Sequence, residues 1–444
     1  MNMNARLENV TVVGAAGKMG SGIALLLLRE LTWRHLEGGG VRPILNLVDV
    51  SDSGLVGLLR YLRDQMVKDA ERQVNRLRLA YRKRPDLVEN GEMIEELARE
   101  AALLVRTGTT LDLARQSRLV FEAVVESEEL KTSLYRELAG ICTAETFFFT
   151  NTSSIPIHVL EEATGLGGRL IGYHFYNPPA VQRLLEVISP SGCDPELRAV
   201  AQELGGRLGK TIVASRDVAG FIGNGHFIRD GLHAIREVEQ LAPAHGLAPA
   251  IAMVDMVSRD WLVRPMGIFQ LIDYVGVDVF SLILRVMERH LTEGLVSPLV
   301  DRLLSQGIKG GQTASGSQRD GILRYEKGRP TGVWDLEKRE YAPIDPAWRE
   351  VLGAHPDPAV SWKALQGQAS RSERLRTYFG ALARSGGLGA EIALRYARAS
   401  QEVALRLVEQ GVAECPEDVN AVLELGFFHL YGPINDFLSQ GGTT

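Results

Sequence analysis

The two residues best suited to proton chemistry are His174 and Glu186, twelve residues apart in "RLIGYHFYNPPAVQRLLEVI" (169–188). Each lies in an apolar run that reads as a buried strand, and Pro178-Pro179 bends the chain between them. An imidazole, which titrates near neutrality, can take the proton of an alcohol while hydride leaves the carbon. A carboxylate on its second nitrogen orients the ring and raises its basicity. Spacing alone does not make the two strands neighbours, and a core histidine and a strand-end carboxylate are the ordinary alternatives. Two further polar residues fit the same chemistry. Ser153 lies in "TNTSS" (150–154), directly after "FFF", where a strand leaves a sheet; Asn224, in "GFIGN", sits on an apolar helix from which an amide can reach across a cleft. Taken singly, such a serine is a turn or helix-cap residue, and such an asparagine a helix–helix hydrogen bond.

These side chains need a framework. "VVGAAGKMG" places Gly14, Gly17 and Gly20, with Met19, between an apolar strand and a helix. Glycines there let the backbone approach a pyrophosphate, and the helix N-terminus supplies N–H groups and a favourable dipole. The spacing is one residue longer than G-x-G-x-x-G. Asp49 ends the next apolar strand, "ILNLVDV". A carboxylate there accepts ribose hydroxyls and repels a 2′-phosphate, which favours NAD over NADP; capping the next helix is its other reading. Residues 54–105 are charged and helical in period, a helical hairpin expected to stand out from the sheet. Strands at 118–126, 146–150, 169–188 and 211–215 alternate with helices. The pattern predicts a Rossmann-type, doubly wound α/β sheet, mainly parallel, with an antiparallel edge among its last strands.

Beyond residue 216 the pattern is helical, except that 306–342 is rich in glycine and polar residues and reads as a loop and hairpin. The expected divisions are a dinucleotide-binding domain at 1–215, a first helical unit at 216–310, a linker at 311–359 and a second helical unit at 360–444. Residues 253–273 and 418–438 share a weak repeat in which Asp255 precedes Gly267, and Asn420 precedes Gly432, by twelve residues. The expectation is a duplicated helical unit whose copies pack together; chance similarity between helices is the alternative.

A chain of 444 residues implies two or three cores. A net charge of −6 gives no general pull toward nucleic acid or anionic membrane. Cys142, Cys193 and Cys415 form no C-x-x-C pair, so neither a metal site nor a disulfide framework is suggested. No basic-then-apolar leader opens the sequence and no apolar run has spanning length; a cytoplasmic location is expected.

"VTVVGAAGKMGSGIA", "FEAVVESEELK", "TNTSS", "GYHFYNPPAVQRLLEVI", "DVAGFIGN" and "RPMGIFQLIDYVG" together resemble the L-3-hydroxyacyl-CoA dehydrogenases of fatty-acid β-oxidation, over about residues 9–280. The second half is similar to the longer, duplicated form found fused to enoyl-CoA hydratases, here without a hydratase domain. The resemblance implies NAD-dependent oxidation of an L-3-hydroxyacyl-CoA to the 3-ketoacyl-CoA. His174 would be the base, Glu186 its partner, and Ser153 and Asn224 would bond the reacting hydroxyl and the thioester oxygens. Glu126, Lys131 and Asn177 match residues lining the NAD site. The arm at 54–105 matches the element covering CoA, where basic residues such as Lys68 suit phosphates; a solvated charged face is the alternative there. The resemblance leaves a homodimer or a monomer with an internal pseudo-dimer, and a hydratase or thiolase partner. A dehydrogenase of free hydroxy acids, or a non-catalytic NAD-binding scaffold subunit, are the rival readings.

Overall fold

Uninterrupted runs of branched and aromatic residues build the first unit. "NVTVV", "ILNLV", "LVFE", "FFFT", "LIGYHF" and "LLEVI" are buried almost end to end, as strands covered on both faces must be. The computed structural model describes residues 3–38, 40–313 and 316–438, and the chain divides into two compact units, Met1–Asp217 and Val218–Thr444. The first holds eight strands: β1 (Asn9–Val13), β2 (Ile44–Val48), β3 (Val105–Gly108), β4 (Leu119–Glu122), β5 (Phe147–Thr150), β6 (Leu170–Phe175), β7 (Leu184–Ile188) and β8 (Thr211–Ser215). Their order is β3-β2-β1-β4-β5-β6-β7-β8. The strands from β3 to β6 are parallel; β7 runs antiparallel to β6, and β8 is parallel to β7. The expected antiparallel edge is therefore a pair of strands. The order reverses between β1 and β4, the switch point beside which open α/β sheets bind ligands.

Two boundaries differ from the sequence reading. β3 follows the helix Asn90–Leu104 without a break, and its half-exposed "VRTG" has no strand-like apolar pattern. β4 stops at Glu122, and residues 123–127 form the turn that opens the next helix. The glycine turn leads into α1 (Lys18–Gly38); the arm is α2 (Asp52–Arg72), a short helix Val74–Ala80 and α3 (Asn90–Leu104). The arm does not stand clear of the sheet's helices. Asp69 accepts from the Trp33 indole (3.3 Å) and pairs with Arg29 (3.6 Å), while Arg76 pairs with Glu37 and lies 4.0 Å over the Trp33 ring. Leu55, Leu58, Leu62 and Met66 bury the other stripe of α2. Between β4 and β5 lies α4 (Glu128–Ile141).

In the second unit, α5 (Gly223–His245) packs against α6 (Leu388–Glu409). Between them is a three-stranded antiparallel sheet, β9 (Leu323–Glu326), β10 (Arg329–Asp335) and β11 (Glu340–Pro343), one strand more than a hairpin. The repeat is visible as matching geometry. Asp255 Oδ1 accepts from Phe269 N (2.9 Å) and Gln270 N (3.0 Å), and Asn420 Oδ1 accepts from Ile434 N (3.0 Å). A Cβ on Gly267 or Gly432 would lie 2.2 or 2.1 Å from those same oxygens, so each glycine is required by the carboxylate or amide beneath it. The copies touch: Tyr431 donates to Leu262 O (2.7 Å), while Phe427 of the second copy lies 5.9 Å from Phe227 of α5. A buried seam joins α5 to α6. Arg264 donates to Asp230 (2.8 Å) and Ser400 (3.1 Å), and Tyr396 donates to Asp230 (3.0 Å). Burial opposes ionisation of Asp230, but the adjacent Arg264 guanidinium holds its carboxyl down at about 2. Residues 439–444, the end of the expected second helical unit, and Ala314-Ser315 of the polar loop lie outside the described residues. No helix among the described residues is long and apolar enough to cross a membrane.

Candidate active site

Strand periodicity sorts the centre of the sheet into two faces. Glu122, Thr150 and Gly172 align across β4, β5 and β6; His174 follows two residues on, and Glu186 on β7 lies directly opposite it. The neighbouring positions Phe121, Phe149 and Tyr173 occupy the other face, with ring centroids 4.6 Å and 5.0 Å apart. The Tyr173 hydroxyl donates to Ala201 O (2.9 Å). One face thus anchors the strands, and the other carries the polar residues.

His174 Nδ1 is 3.0 Å from Glu186 Oε2, and the Tyr176 hydroxyl donates to the same oxygen at 2.7 Å. Glu186 is fully buried and His174 is 7% exposed. Burial and the neighbouring Glu186 push the Tyr176 phenol well up, so it stays a donor. A carboxylate on Nδ1 selects the tautomer with the proton on that nitrogen. The turn that brings β7 back contains the cis Asn177–Pro178 bond, and half-buried Asn177 begins it. Lys210 donates to Pro179 O and Gln182 O, and a Cβ on Gly22 of α1 would lie 2.7 Å from Pro179 Cδ. The turn is therefore seated directly on the helix that follows the glycine turn.

Beside this pair is a buried charge cluster. Lys131, on α4, is 1% exposed; its Nζ lies 2.6 Å from Glu122 Oε1 and 3.5 Å from Glu126 Oε2. Burial alone would lower the Lys131 ammonium, but the two glutamates raise it; burial likewise opposes Glu126, and Lys131 with the hydroxyl and amide donors holds it low. Glu126 Oε1 accepts from Thr152 Oγ1 (2.7 Å), Ser153 N (3.0 Å), Ser154 N (3.1 Å) and Ser154 Oγ (2.9 Å). Glu126 thus folds the turn that carries Ser153. Glu122, which also accepts from Thr150 (2.7 Å) and Tyr135 (3.2 Å), and Tyr176 were not singled out from the sequence. The available signals were a carboxylate ending the apolar strand "LVFE" and a tyrosine two residues after His174.

At the switch point, Gly14 has φ +75° and a Cβ there would lie 2.7 Å from Ala123 O; on Gly20 it would lie 2.0 Å from Gly14 O. Both glycines are thus needed for backbone to pack on backbone, which closes the tight turn on which a pyrophosphate would sit. Asp49 accepts from Ala16 N (2.9 Å) and Ser51 N (3.1 Å), fastening the end of β2 to the turn. Gly17 is exposed and Met19 half-buried beside it. Gly20→Ala should weaken NADH binding at least tenfold in a fluorescence titration, because its methyl meets backbone that cannot yield; unchanged affinity would show that the turn does not carry the cofactor. Lys68 is exposed on α2, and Asn224 opens α5 in the second unit. Among the described residues no group of three His, Cys, Asp or Glu side chains could hold a metal ion.

Residues 56–218 match the family model for the 3-hydroxyacyl-CoA dehydrogenase NAD binding domain, and 220–319 match that for the 3-hydroxyacyl-CoA dehydrogenase C-terminal domain. The first match begins downstream of the glycine turn. A 3-hydroxybutyryl-CoA dehydrogenase of Mycobacterium tuberculosis is 32% identical over 73% of this chain and 100% of its own length. A probable 3-hydroxybutyryl-CoA dehydrogenase of Bacillus subtilis is 28% identical over 71% and 97%. The crystal structure of an Escherichia coli 3-hydroxybutyryl-CoA dehydrogenase, 20% identical, shares the fold over 98% of this chain and 92% of that one, with a TM-score of 0.65.

Proposed function

Because this chain belongs to the 3-hydroxyacyl-CoA dehydrogenase family, with NAD as cofactor and an acyl-CoA as substrate, we propose that His174 and Glu186 are the proton-transfer pair for oxidation of an L-3-hydroxyacyl-CoA. The carrying observation is the 3.0 Å contact between two buried side chains in cross-strand register. With Nδ1–H directed at Glu186, Nε2 is the nitrogen that takes the proton of the 3-hydroxyl, and Glu186 stabilises the imidazolium that results. Bound NAD supplies the acceptor for the hydride leaving C3. Ser153, on the turn folded over Glu126, and Asn224, on α5, bond the reacting hydroxyl and the thioester oxygen. Gly14, Gly17, Met19, Gly20, Asp49 and Asn177 hold the cofactor, and Glu126 and Lys131 line its site beside the Ser153 turn. Lys68 on the arm contacts CoA phosphate.

The names of the two bacterial relatives support a short acyl chain. Copies of the helical unit packed within one chain support a monomer over a homodimer; a cytoplasmic location and a separate hydratase or thiolase in β-oxidation complete the reading. NADH oxidation with acetoacetyl-CoA, set against acetoacetate and other free keto acids, tests the substrate class. Turnover should depend on the CoA group; equal turnover of the free acids would replace this reading with a hydroxy-acid dehydrogenase, and no turnover of either with a scaffold subunit.

A further inference from the structure

The second unit contains a cavity of about 560 Å³ that the reaction above does not use. Arg259, Arg264, Arg349, Lys363 and His355 line it, and Asp260 is its single carboxylate. Asp260 carries a double load: Arg259 reaches both its oxygens (2.8 and 3.1 Å), and Arg349 reaches it through one nitrogen (2.7 Å). Arg264 is already matched by Asp230. Counted over the lining residues alone, the Arg259–Asp260–Arg349 group carries one positive charge in excess, with buried Asp255 also acting on Arg259. Exposed Lys363, which forms no ion pair among the described residues, adds another. In a chain whose net charge is −6, this is a local inversion of sign. Like charges that share too few counter-ions attract an anion, and guanidinium groups suit phosphate because of their planar donor geometry.

The rest of the lining is Ser361 and the apolar Pro265, Pro358, Val360 and Trp362. The Trp362 indole, partly buried against the core, is fixed by its N–H to Phe428 O (2.7 Å) where it lines the cavity. Arg349 is braced over the Trp261 ring at 5.4 Å. The volume lies in the range of sites that enclose small ligands.

We propose that this cavity binds a nucleoside phosphate, its phosphates on Arg349 and Lys363 and its base against Trp362. That chemistry is offered both by a free nucleotide and by a coenzyme A molecule other than the one at the reaction site.

The test uses the full chain saturated with NADH, titrated calorimetrically with pyrophosphate, ADP and coenzyme A, in wild type and in the double variant Arg349→Glu/Lys363→Glu. The difference between wild type and variant is the reading in each arm. Binding should be at least tenfold weaker in the variant and should fall with added salt, while NADH affinity stays unchanged. Tighter variant-sensitive binding of coenzyme A assigns the site to a second coenzyme A molecule, and of ADP to a free nucleotide. Equal binding in wild type and variant, or no binding at millimolar concentration, overturns the proposal. Lys363→Glu alone, at an exposed position, should still show a loss of several-fold if the double variant fails to fold; no loss there counts against the site.

Discussion

His174→Ala is expected to reduce turnover of acetoacetyl-CoA with NADH by a hundredfold or more, while NADH affinity stays within a factor of two or so. General acid–base groups typically contribute about 10²- to 10⁴-fold, and the imidazole is not part of the glycine turn that would hold the cofactor. Glu186→Gln should give a smaller fall. The amide keeps the side chain's shape and its bond to Tyr176, but removes the charge that supports a protonated ring. A loss confined to KM in either variant would mean the pair binds substrate without transferring its proton. Unchanged turnover in His174→Ala would remove the histidine from the chemistry altogether.

The second large effect is on stability. Lys131→Met should lower the unfolding free energy by about 3–5 kcal/mol, the usual consequence of leaving a buried ion without its partner. Glu122 is fully buried and would keep Thr150 and Tyr135 as donors, but no cation would remain beside it. The double variant Lys131→Met/Glu122→Gln should recover much of the loss, since it removes the charge that Lys131 offsets. Denaturant melts of the wild type and the two variants measure both statements. A Lys131→Met cost below about 1 kcal/mol would show that water reaches the cluster.

The two strands that carry the pair could be read in the sequence because each is a continuous apolar run; their being neighbours could not. Pairing depends on the turn at 176–183, whose shape comes from Lys210, thirty residues downstream, and from Gly22, far upstream. The glycine turn was legible because three glycines between a strand and a helix have few other uses. The charge cluster was less so. Lys131 and Glu126 were matched to cofactor contacts, and nothing local showed that Glu122 lies in the same sheet row as Thr150 and draws the lysine inward. β3 was missed because an edge strand with exposed side chains lacks the apolar run by which the others were found. The repeat was legible as a spacing, but its reason, an oxygen occupying the place of a glycine's side chain, appears only in three dimensions.

The cross-strand alignment of His174 with Glu186 has a consequence for how this gene can change length. Along a strand, consecutive side chains alternate faces. One residue inserted into β7 ahead of Glu186 would carry the carboxylate to the aromatic side and bring a leucine opposite the imidazole. Two would restore the face but shift the carboxylate about 7 Å along the strand, beyond hydrogen-bonding reach. A residue added at the exposed tip of the turn, beside Val181, can instead be absorbed as a larger loop. Within a few positions, then, the chain passes from a segment that tolerates insertion to one that tolerates none, and the boundary falls where β7 begins.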